Sequence, residues 1–388
     1  MNAPTRSPSA RGRSQPPSAK RIRVMIVDDS LTVRTIFRRT VESDASLEIA
    51  GTASSGERAI AQIKKEPADV VLLDLEMPGM GGLKALPELL KASPETQILV
   101  VSSLTQDGAE ATVTALSTGA ADTLQKPRPG GFDEEYRSQL LCKIRALGAS
   151  DGTEDTPDQN TPTPDSLEGA AHDPSIKPAA KFDRPAKPPE VIAIGASTGG
   201  IHALNLMLNE LTPQCSLPIL ITQHLPANFV PVFTRQIEAA SGRPAQIAKD
   251  GAEIREGEIT IASGQGHMSV RRVADRLVVR TLSEPVSSGC LPSVDPMLSS
   301  LASACEGRVL ALILSGMGRD GFEGATDVVK AGGAVWAQDA ETCAVWGMPG
   351  VVAKAGLASL VAPPQELGRA VMTSLPGAPR SSSQAHSR

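Results

Sequence analysis

A stretch with almost no large apolar residues divides this chain into two parts. Residues 149–188 are rich in Pro, Asp and Thr, so they cannot bury enough apolar surface to become ordered. We expect this stretch to be a flexible linker. Two folded units are therefore predicted, over residues 21–148 and 189–374, which suits a chain of 388 residues.

Both ends of the chain are expected to be disordered. Residues 1–20 are basic and rich in Pro and Ser, and they lack the apolar core of a secretory signal. Residues 375–388 are mostly small and polar. No run of about 18 apolar residues occurs in the sequence, so we expect no insertion into a membrane.

Composition and charge narrow the class of protein. Hydrophobic residues make up 40% of the chain but aromatic residues only 2%, so the cores must be built from Ala, Val, Ile and Leu. The net charge of −5, without a long basic run in either folded unit, argues against a nucleic-acid partner. Five cysteines are scattered without a CxxC pair, and we predict that they are reduced core residues of a cytoplasmic protein. A catalytic cysteine or a metal cluster is the alternative. The five are Cys142, Cys215, Cys290, Cys305 and Cys343.

The first unit alternates between short apolar strands and helical stretches. Strands are predicted at IRVMIV, LEIAGTA, DVVLLD, QILVVS and ADTL, and a helical stretch follows each one. Five strands alternating with five helices predict an open parallel sheet covered on both faces, a flavodoxin-like (βα)5 domain. The second unit also alternates, from EVIAIG onward, and predicts a doubly wound α/β domain. Only residues 251–291 look antiparallel, with short strands and turns.

Polar residues collect at the predicted carboxyl ends of the first unit's strands. Asp28 and Asp29 follow the first strand, and Asp74 ends the third. Ser102 ends the fourth strand, and Lys126 follows the fifth. Three carboxylates at one sheet edge repel each other unless a cation such as Mg²⁺ joins them, and a lysine and a hydroxyl suit a phosphoryl group. A single Asp here would be a helix N-cap, but the whole set predicts a phosphorylation site.

With these residues in place, residues 21–148 resemble a response-regulator receiver domain. The resemblance implies a role for each of them: phosphoacceptor Asp74, magnesium ligands Asp28, Asp29 and Asp74, phosphate-binding Lys126 and switch hydroxyl Ser102. Receivers commonly carry an aromatic residue three positions before the lysine, where this chain has Thr123. We therefore expect coupling to run mainly through Ser102 and the neighbouring loops.

The string GASTGG, directly behind a predicted strand in the second unit, fits two templates. As a dinucleotide-binding loop it lacks the second glycine, where Ser197 stands, and the next strand ends in Gln223 and His224 instead of a carboxylate. Residues 195–199 fit G-x-S-x-G fully, which predicts an exposed nucleophilic serine at a sharp strand-to-helix turn. A helix N-cap serine is the alternative for this short motif.

A nucleophilic serine needs a base, and five histidines are available. His224 directly follows the next strand, at the same sheet edge as Ser197, and is the best placed. His267 is the second candidate, as a contact on the substrate side. Asp320 lies in a glycine-rich turn after a third strand and suits the role of the carboxylate that orients the imidazole, although a helix cap is its alternative. The amides of that turn suit an oxyanion.

The order Ser, His, Asp excludes the α/β-hydrolases, which run Ser, Asp, His. With a receiver in front, the chain resembles the chemotaxis protein-glutamate methylesterases. The matching strings are GASTGG, TQHLP, LPSVDPML, SGMGRDG and WGMPG. The resemblance implies catalytic Ser197, His224 and Asp320, with the Met317 backbone N–H in the oxyanion hole. The family more often has Pro where Ser263 stands, which touches no catalytic group.

The same resemblance implies a substrate, partners and a means of control. The expected substrate is a methylated glutamate on a chemoreceptor's cytoplasmic helices, with methanol released and no cofactor for the esterase chemistry. In the family the receiver covers the active site until a histidine kinase phosphorylates it, which here means at Asp74 with Mg²⁺. Deamidation of receptor glutamines stays open as a second activity. The alternatives are the same chemistry in another sensory pathway, and a phosphorylation-controlled docking protein without turnover.

Overall fold

The computed structural model describes residues 20–103, 105–127, 131–149, 187–211 and 215–374. The predicted linker over residues 149–188 and the two predicted tails lie almost entirely outside these described residues. Both predicted α/β units are present within them. In the part of the chain that the structure describes, no helix is both long and apolar enough to cross a membrane.

The N-terminal unit is a five-stranded parallel sheet in the order β2-β1-β3-β4-β5, which confirms the flavodoxin-like prediction. Strands alternate with helices along the chain. The elements are β1 (Ile22–Val27), α1 (Leu31–Glu42), β2 (Leu47–Ala53), α2 (Gly56–Ile63), β3 (Val70–Asp74), α3 (Gly81–Ala92), β4 (Gln97–Ser102), α4 (Gln106–Thr118), β5 (Asp122–Gln125) and α5 (Glu134–Gly148).

Local sequence explains where these elements begin. The side chains of Ser30, Thr105 and Asp133 accept a backbone N–H in the first turn of α1, α4 and α5, which caps each helix. Gly82 in the first turn of α3 packs against the end of β3, where a Cβ would lie 2.0 Å from the carbonyl oxygen of Asp74. Only glycine allows this close approach, and it brings the start of α3 beside the predicted phosphoacceptor.

The C-terminal unit contains a seven-stranded parallel sheet in the order β15-β14-β13-β6-β7-β10-β8 and a three-stranded antiparallel sheet in the order β11-β12-β9. Its elements are β6 (Val191–Ala196), α6 (Gly200–Leu208), β7 (Ile219–Gln223), α7 (Val230–Ser241), β8 (Ala245–Ile247), β9 (Glu253–Ile254), β10 (Ile259–Ile261), β11 (His267–Val273), β12 (Arg276–Leu282), α8 (Val294–Ala304), β13 (Val309–Ile313), α9 (Phe322–Lys330), β14 (Ala334–Gln338), α10 (Met348–Lys354), β15 (Leu360–Ala362) and α11 (Pro364–Ser374).

The antiparallel prediction for residues 251–291 needs one correction. Strands β9, β11 and β12 are antiparallel, but β10 joins the large sheet and pairs in parallel with both β7 and β8. All three residues of β10 are buried, as a strand between two neighbours in a covered sheet requires. A strand of three residues is too short for its apolar pattern to reveal which sheet it joins.

Strands β13, β6 and β7 are neighbours at the centre of the large sheet. All three are fully buried and parallel, so their carboxyl ends lie side by side. In open parallel sheets the functional site lies at this edge. Ser197 follows β6, His224 follows β7, and the glycine-rich turn that contains Asp320 follows β13.

The two units pack against each other through an apolar core. Leu116 and Ala120, from the end of α4, belong to the same cluster of buried residues as Ile201 of α6 and Phe229 before α7. The end of the N-terminal unit that includes α4 and β5 therefore faces α6 and α7, next to the carboxyl end of β6.

Candidate active site

Ser197 sits in a tight turn between β6 and α6. Gly199, at the N-cap of α6, has φ +77°, a left-handed conformation that glycine adopts without strain. The backbone N–H of Ser197 donates to the carbonyl of Ser315 at 3.0 Å, and Gln223 Nε2 donates to the carbonyl of Ser197 at 2.8 Å. These bonds fix the backbone of the turn from both neighbouring strands and leave the Ser197 side chain lining a cleft.

His224 lines the same cleft and is bound to Asp320. Its Nε2 lies 2.7 Å from Asp320 Oδ2, so Nδ1 is the nitrogen left to face a nucleophile. The N–H of His224 donates to the carbonyl of Ala196 at 3.0 Å, which extends the pairing of β6 and β7 by one step. Burial lowers the pKa of His224, but hydrogen bonds to Asp320 and Cys290 and their charges outweigh burial and raise it to about 9.

Asp320 is held as a buried carboxylate by three donors. It is only 1% exposed, and besides His224 it accepts from Ser293 Oγ at 2.6 Å and from the N–H of Val294 at 2.7 Å. Burial opposes its charge, but these hydrogen bonds hold the pKa of Asp320 well below its usual range. Burial raises the pKa of nearby Asp295 to about 7, and the charge of Asp320 acts in the same direction. The negative charge therefore resides on Asp320, against the imidazole.

The turn that contains Met317 lies directly beside the serine. A Cβ on Gly316 would come within 2.9 Å of Ser197 Cβ, so a larger residue would clash with Ser197. The carbonyl of Gly316 accepts from Met348 N–H at 2.8 Å, and its own N–H donates to the carbonyl of Val345 at 3.0 Å. These bonds fix the backbone next to Met317, whose N–H is the predicted oxyanion donor.

Two other histidines have different surroundings. His267 is 3% exposed, and its Nδ1 accepts from the N–H of Ser293 at 3.0 Å, so the predicted contact with substrate is wrong: the ring supports the loop that holds Asp320. His202 Nδ1 lies 3.1 Å from the carbonyl of Ser117 in the receiver unit. His224 is therefore the histidine beside Asp320.

The predicted phosphorylation site is also assembled. Lys126 Nζ lies 2.6 Å from Asp74 Oδ2 and 3.2 Å from Asp28 Oδ2, and both carboxylates are 1% exposed. Oxygen atoms of Asp28, Asp29 and Asp74 lie within 4.8 Å of one another, a set of hard donors that fits Mg²⁺. Burial raises the pKa of Asp74 to about 6, and the charge of Asp28 adds to this effect, whereas Lys126 opposes it.

Ser102 links this site to helix α4. Its Oγ lies 2.6 Å from Thr112 Oγ1, in a buried position nearly two turns after the start of α4. On the same helix, Glu110 pairs with Arg235 of α7 at 2.8 Å, and the carbonyl of Ser117 lies 3.1 Å from His202 Nδ1 of α6. Helix α4 thus contacts the Ser102 hydroxyl on one side and the second unit on the other.

The receiver unit binds directly to the serine turn. Thr198 Oγ1 donates to Asp122 Oδ2 at 2.6 Å, and the N–H of Gly199 donates to the carbonyl of Ala121 at 2.5 Å. Lys143 completes the contact by donating to the same oxygen of Asp122 at 2.6 Å. The cleft that Ser197 and His224 line has a volume of about 590 Å³, and the receiver strand β5 forms its opposite wall.

Comparison with known proteins identifies the family. The response regulator receiver domain model matches residues 24–131, and the CheB methylesterase model matches residues 192–371. A protein-glutamate methylesterase/protein-glutamine glutaminase of Azospirillum brasilense is 40% identical over 358 residues, covering 89% of this chain and 91% of that protein. This chain belongs to that family. The second such protein of Caulobacter vibrioides is 41% identical over 351 residues, covering 89% and 97% of the two chains.

Solved structures of the two separate parts are similar to this methylesterase-family chain. The catalytic domain of Thermotoga maritima CheB methylesterase is 31% identical, with a TM-score of 0.46, and the match covers 47% of this chain and 97% of that one. The response regulator domain of Thermotoga maritima CheB is 35% identical, with a TM-score of 0.30, and the match covers 32% and 95%.

Sequence reasoning missed three residues of this methylesterase-family site. Ser293 lies within the string LPSVDPML, but nothing in the string shows that its hydroxyl meets Asp320. Asp122 lies in the predicted strand ADTL, and no signal in the sequence shows that it accepts a hydrogen bond from Thr198 Oγ1. Cys290 was predicted to be a core residue, and this is wrong, because its thiol is half-buried beside His224 and Asp320. The same prediction is confirmed for Cys215 and Cys305, which are buried, and is wrong for Cys142 and Cys343, which are half-buried; all five are free.

Proposed function

We propose that this chain is a phosphorylation-controlled serine esterase that removes methyl groups from glutamate side chains of chemoreceptors, in chemotactic adaptation. The observation that supports this most strongly is the meeting of three strand ends. Ser197 and His224 line one cleft, and Asp320 binds His224 at 2.7 Å. This set of groups suits acyl transfer.

In the proposed reaction Ser197 Oγ attacks the ester carbonyl while His224 takes the serine proton on Nδ1. Asp320 stabilises the imidazolium through Nε2. The Met317 N–H donates to the oxyanion, where preorganised donors contribute much of the catalysis. His224 then gives its proton to the departing methoxide, so methanol leaves. Water attacks the acyl-enzyme by the same proton route in reverse, which yields the free glutamate and restores Ser197.

The receiver contacts on the serine turn support a closed resting state. A receptor helix is about 10–12 Å across with its side chains, and β5 of the receiver occupies the surface from which it would approach Ser197. A histidine kinase would phosphorylate Asp74. A Mg²⁺ ion held by Asp28, Asp29 and Asp74 would neutralise the added oxygens. Lys126 and Ser102 would bind the phosphoryl group. Ser102 would then break its hydrogen bond with Thr112, so that α4 could move away from the second unit.

The same site suits a second reaction, the deamidation of receptor glutamines. The names of the relatives carry both activities, methylesterase and glutaminase. Ammonia is a poorer leaving group than methanol, so the amide reaction depends more strongly on proton donation by His224. We therefore propose the same residues for both reactions and expect the amide to react more slowly.

The first test compares wild-type chain with Asp74→Asn on receptor membranes that carry labelled methyl groups. We expect acetyl phosphate and Mg²⁺ to raise methanol release by wild type at least about tenfold, in the range of typical allosteric coupling. Asp74→Asn should keep the resting rate and show no stimulation. Asp44→Asn, a carboxylate change elsewhere in the receiver, should be stimulated normally. Stimulation of Asp74→Asn equal to wild type would mean that the phosphoacceptor is wrong. If wild type released no methanol from any methylated receptor, the result would favour the alternative of a phosphorylation-controlled docking protein without turnover.

A second prediction concerns the ion pair between the units. Arg235→Glu places a negative charge against Glu110, so it should destabilise the closed state by about 1 kcal/mol and raise the resting rate about fivefold. The double variant Glu110→Arg, Arg235→Glu restores opposite charges and should return the resting rate to the wild-type level. The measurement is methanol release without acetyl phosphate. A resting rate that stays unchanged in the single variant would contradict the closed state.

A further inference from the structure

We infer that His224, Cys290 and Asp320 form a binding site for Zn²⁺, and that the bound ion inhibits the esterase. One nitrogen, one sulfur and one oxygen atom of these residues lie within 4.8 Å of one another. Imidazole, thiolate and carboxylate are the ligands that Zn²⁺ takes in proteins. The sulfur separates this cluster from the all-oxygen receiver site that suits Mg²⁺. The inhibition rests on the proposed function, whereas the binding of the metal does not.

Small movements are enough to reach the geometry of a zinc site. In a tetrahedral site with ligands at about 2.0–2.3 Å, the ligand atoms lie about 3.2–3.7 Å apart. His224 Nε2 and Asp320 Oδ2 are 2.7 Å apart, so this pair must open by about half an ångström. Cys290 lies in the loop before α8, and its Sγ donates a long 3.7 Å hydrogen bond to the carbonyl of Ser288. The sulfur lies within 4.8 Å of both other ligand atoms, so a movement of about 1 Å brings it to the spacing of a zinc site.

Exposure and charge also suit the ion. The side chain of His224 is 16% exposed and Cys290 is half-buried, whereas Asp320 is 1% exposed. The ion therefore enters from the side of the imidazole and the thiol, with water in its remaining coordination position. Thiolate and carboxylate together carry two negative charges, which balance Zn²⁺, and the thiol proton passes to solvent.

Zinc at this position removes the base. A neutral imidazole has one lone pair, on the nitrogen that does not carry the proton. When that lone pair binds the metal, the other nitrogen is protonated and cannot accept the proton of Ser197. The ion also takes Asp320 away from its role of stabilising the imidazolium. Inhibition should therefore be complete at saturation and reversed by a chelator.

The direct test uses Co²⁺ as a spectroscopic substitute for Zn²⁺, in the full chain with excess Mg²⁺ to occupy the receiver carboxylates. We expect the ultraviolet thiolate-to-cobalt absorption band in wild type and its loss on addition of Zn²⁺. The band should be absent in Cys290→Ser and Cys290→Ala. It should persist in Cys142→Ser, which changes a half-buried thiol of the receiver. Absence of the band in wild type, or its persistence in the Cys290 variants, would overturn the site.

Activity provides the second measurement. The Zn²⁺ concentration that halves the esterase rate, relative to each variant's own metal-free rate, should rise at least about 30-fold in Cys290→Ser. It should not change in Cys142→Ser. Equal inhibition of wild type and Cys290→Ser would sink the proposal. The cobalt band needs no turnover, so a chain with the band but without esterase activity would reject the proposed function and keep the metal site.

Discussion

Replacement of Ser197 by Ala is expected to lower kcat for methanol release about 10⁴- to 10⁶-fold, with receptor binding retained. The turn itself should survive, because its backbone is held by the carbonyl of Ser315 and the side chain of Gln223, which do not involve the Ser197 hydroxyl. Alanine therefore removes the attacking oxygen and little else. The measurement is single-turnover methanol release, with acetyl phosphate and Mg²⁺ present so that the receiver is displaced.

The matched control is Ser303→Ala, which removes an exposed hydroxyl on α8 and should leave the rate within about twofold of wild type. A second readout is independent of the receptor: a serine-directed fluorophosphonate should label wild type and Ser303→Ala but not Ser197→Ala. A loss smaller than about tenfold in Ser197→Ala would show that another group attacks the ester, and the proposed covalent mechanism would then be wrong.

The sequence was most informative where function depends on strand ends. Ser197, His224 and Asp320 each follow an apolar run, and adjacent parallel strands bring such positions to one edge. The same logic applies to Asp28, Asp74 and Lys126 in the receiver. The alternating pattern predicted both units because buried parallel strands read as continuous apolar runs, and these were long enough to recognise.

Contacts between distant loops could not be predicted in this way. Ser293 reaches Asp320 across 27 positions of the chain, and Asp122 meets Thr198 across 76. No local period encodes such pairs, since they depend on how whole elements pack. Cys290 illustrates the same limit, because free cysteine is usually buried and small, and a scattered thiol carries no spacing signal. The position of β10 was missed since three residues are too few to define its partner.

Asp320→Asn is the second large effect, with an expected loss of about 10⁴-fold in kcat. Asparagine has the size of aspartate and can still accept from the N–H of Val294. That bond is kept only when the amide oxygen takes the Oδ2 position beside His224 Nε2, which turns the N–H₂ group to Ser293. In the flipped orientation the N–H₂ group faces His224 Nε2 and Val294 loses its acceptor. If the amide donates to Nε2, the imidazole carries its proton on Nδ1, the nitrogen that should accept the proton of Ser197. The base is lost through the wrong tautomer while the fold stays intact.

The pH dependence provides a signature that a merely structural defect would not produce. The base must be neutral, so kcat/KM in wild type should rise with pH and level off near the raised pKa of His224, about 9. Without the carboxylate the pKa returns toward its ordinary value, 6.5, and the rising limb in Asp320→Asn should move to lower pH. The ratio of wild type to variant should therefore be larger at pH 9 than at pH 6.5.

Asp295→Asn is the control for this experiment, because it changes a second carboxyl in the same buried region. Asp295 Oδ1 accepts from the N–H of Gly324 at 2.8 Å, and an amide oxygen can keep that bond. We expect the kcat/KM of this variant to stay within about tenfold of wild type. Its kcat/KM should also rise over the same pH range as in wild type, because Asp320 retains its charge beside His224. If both variants lost activity equally and the pH dependence of kcat/KM did not shift in either, the loss would reflect packing around α8 and α9 rather than the Asp320–His224 pair. If the pH dependence of kcat/KM shifted to lower pH in Asp320→Asn alone, the loss would be due to the Asp320–His224 pair.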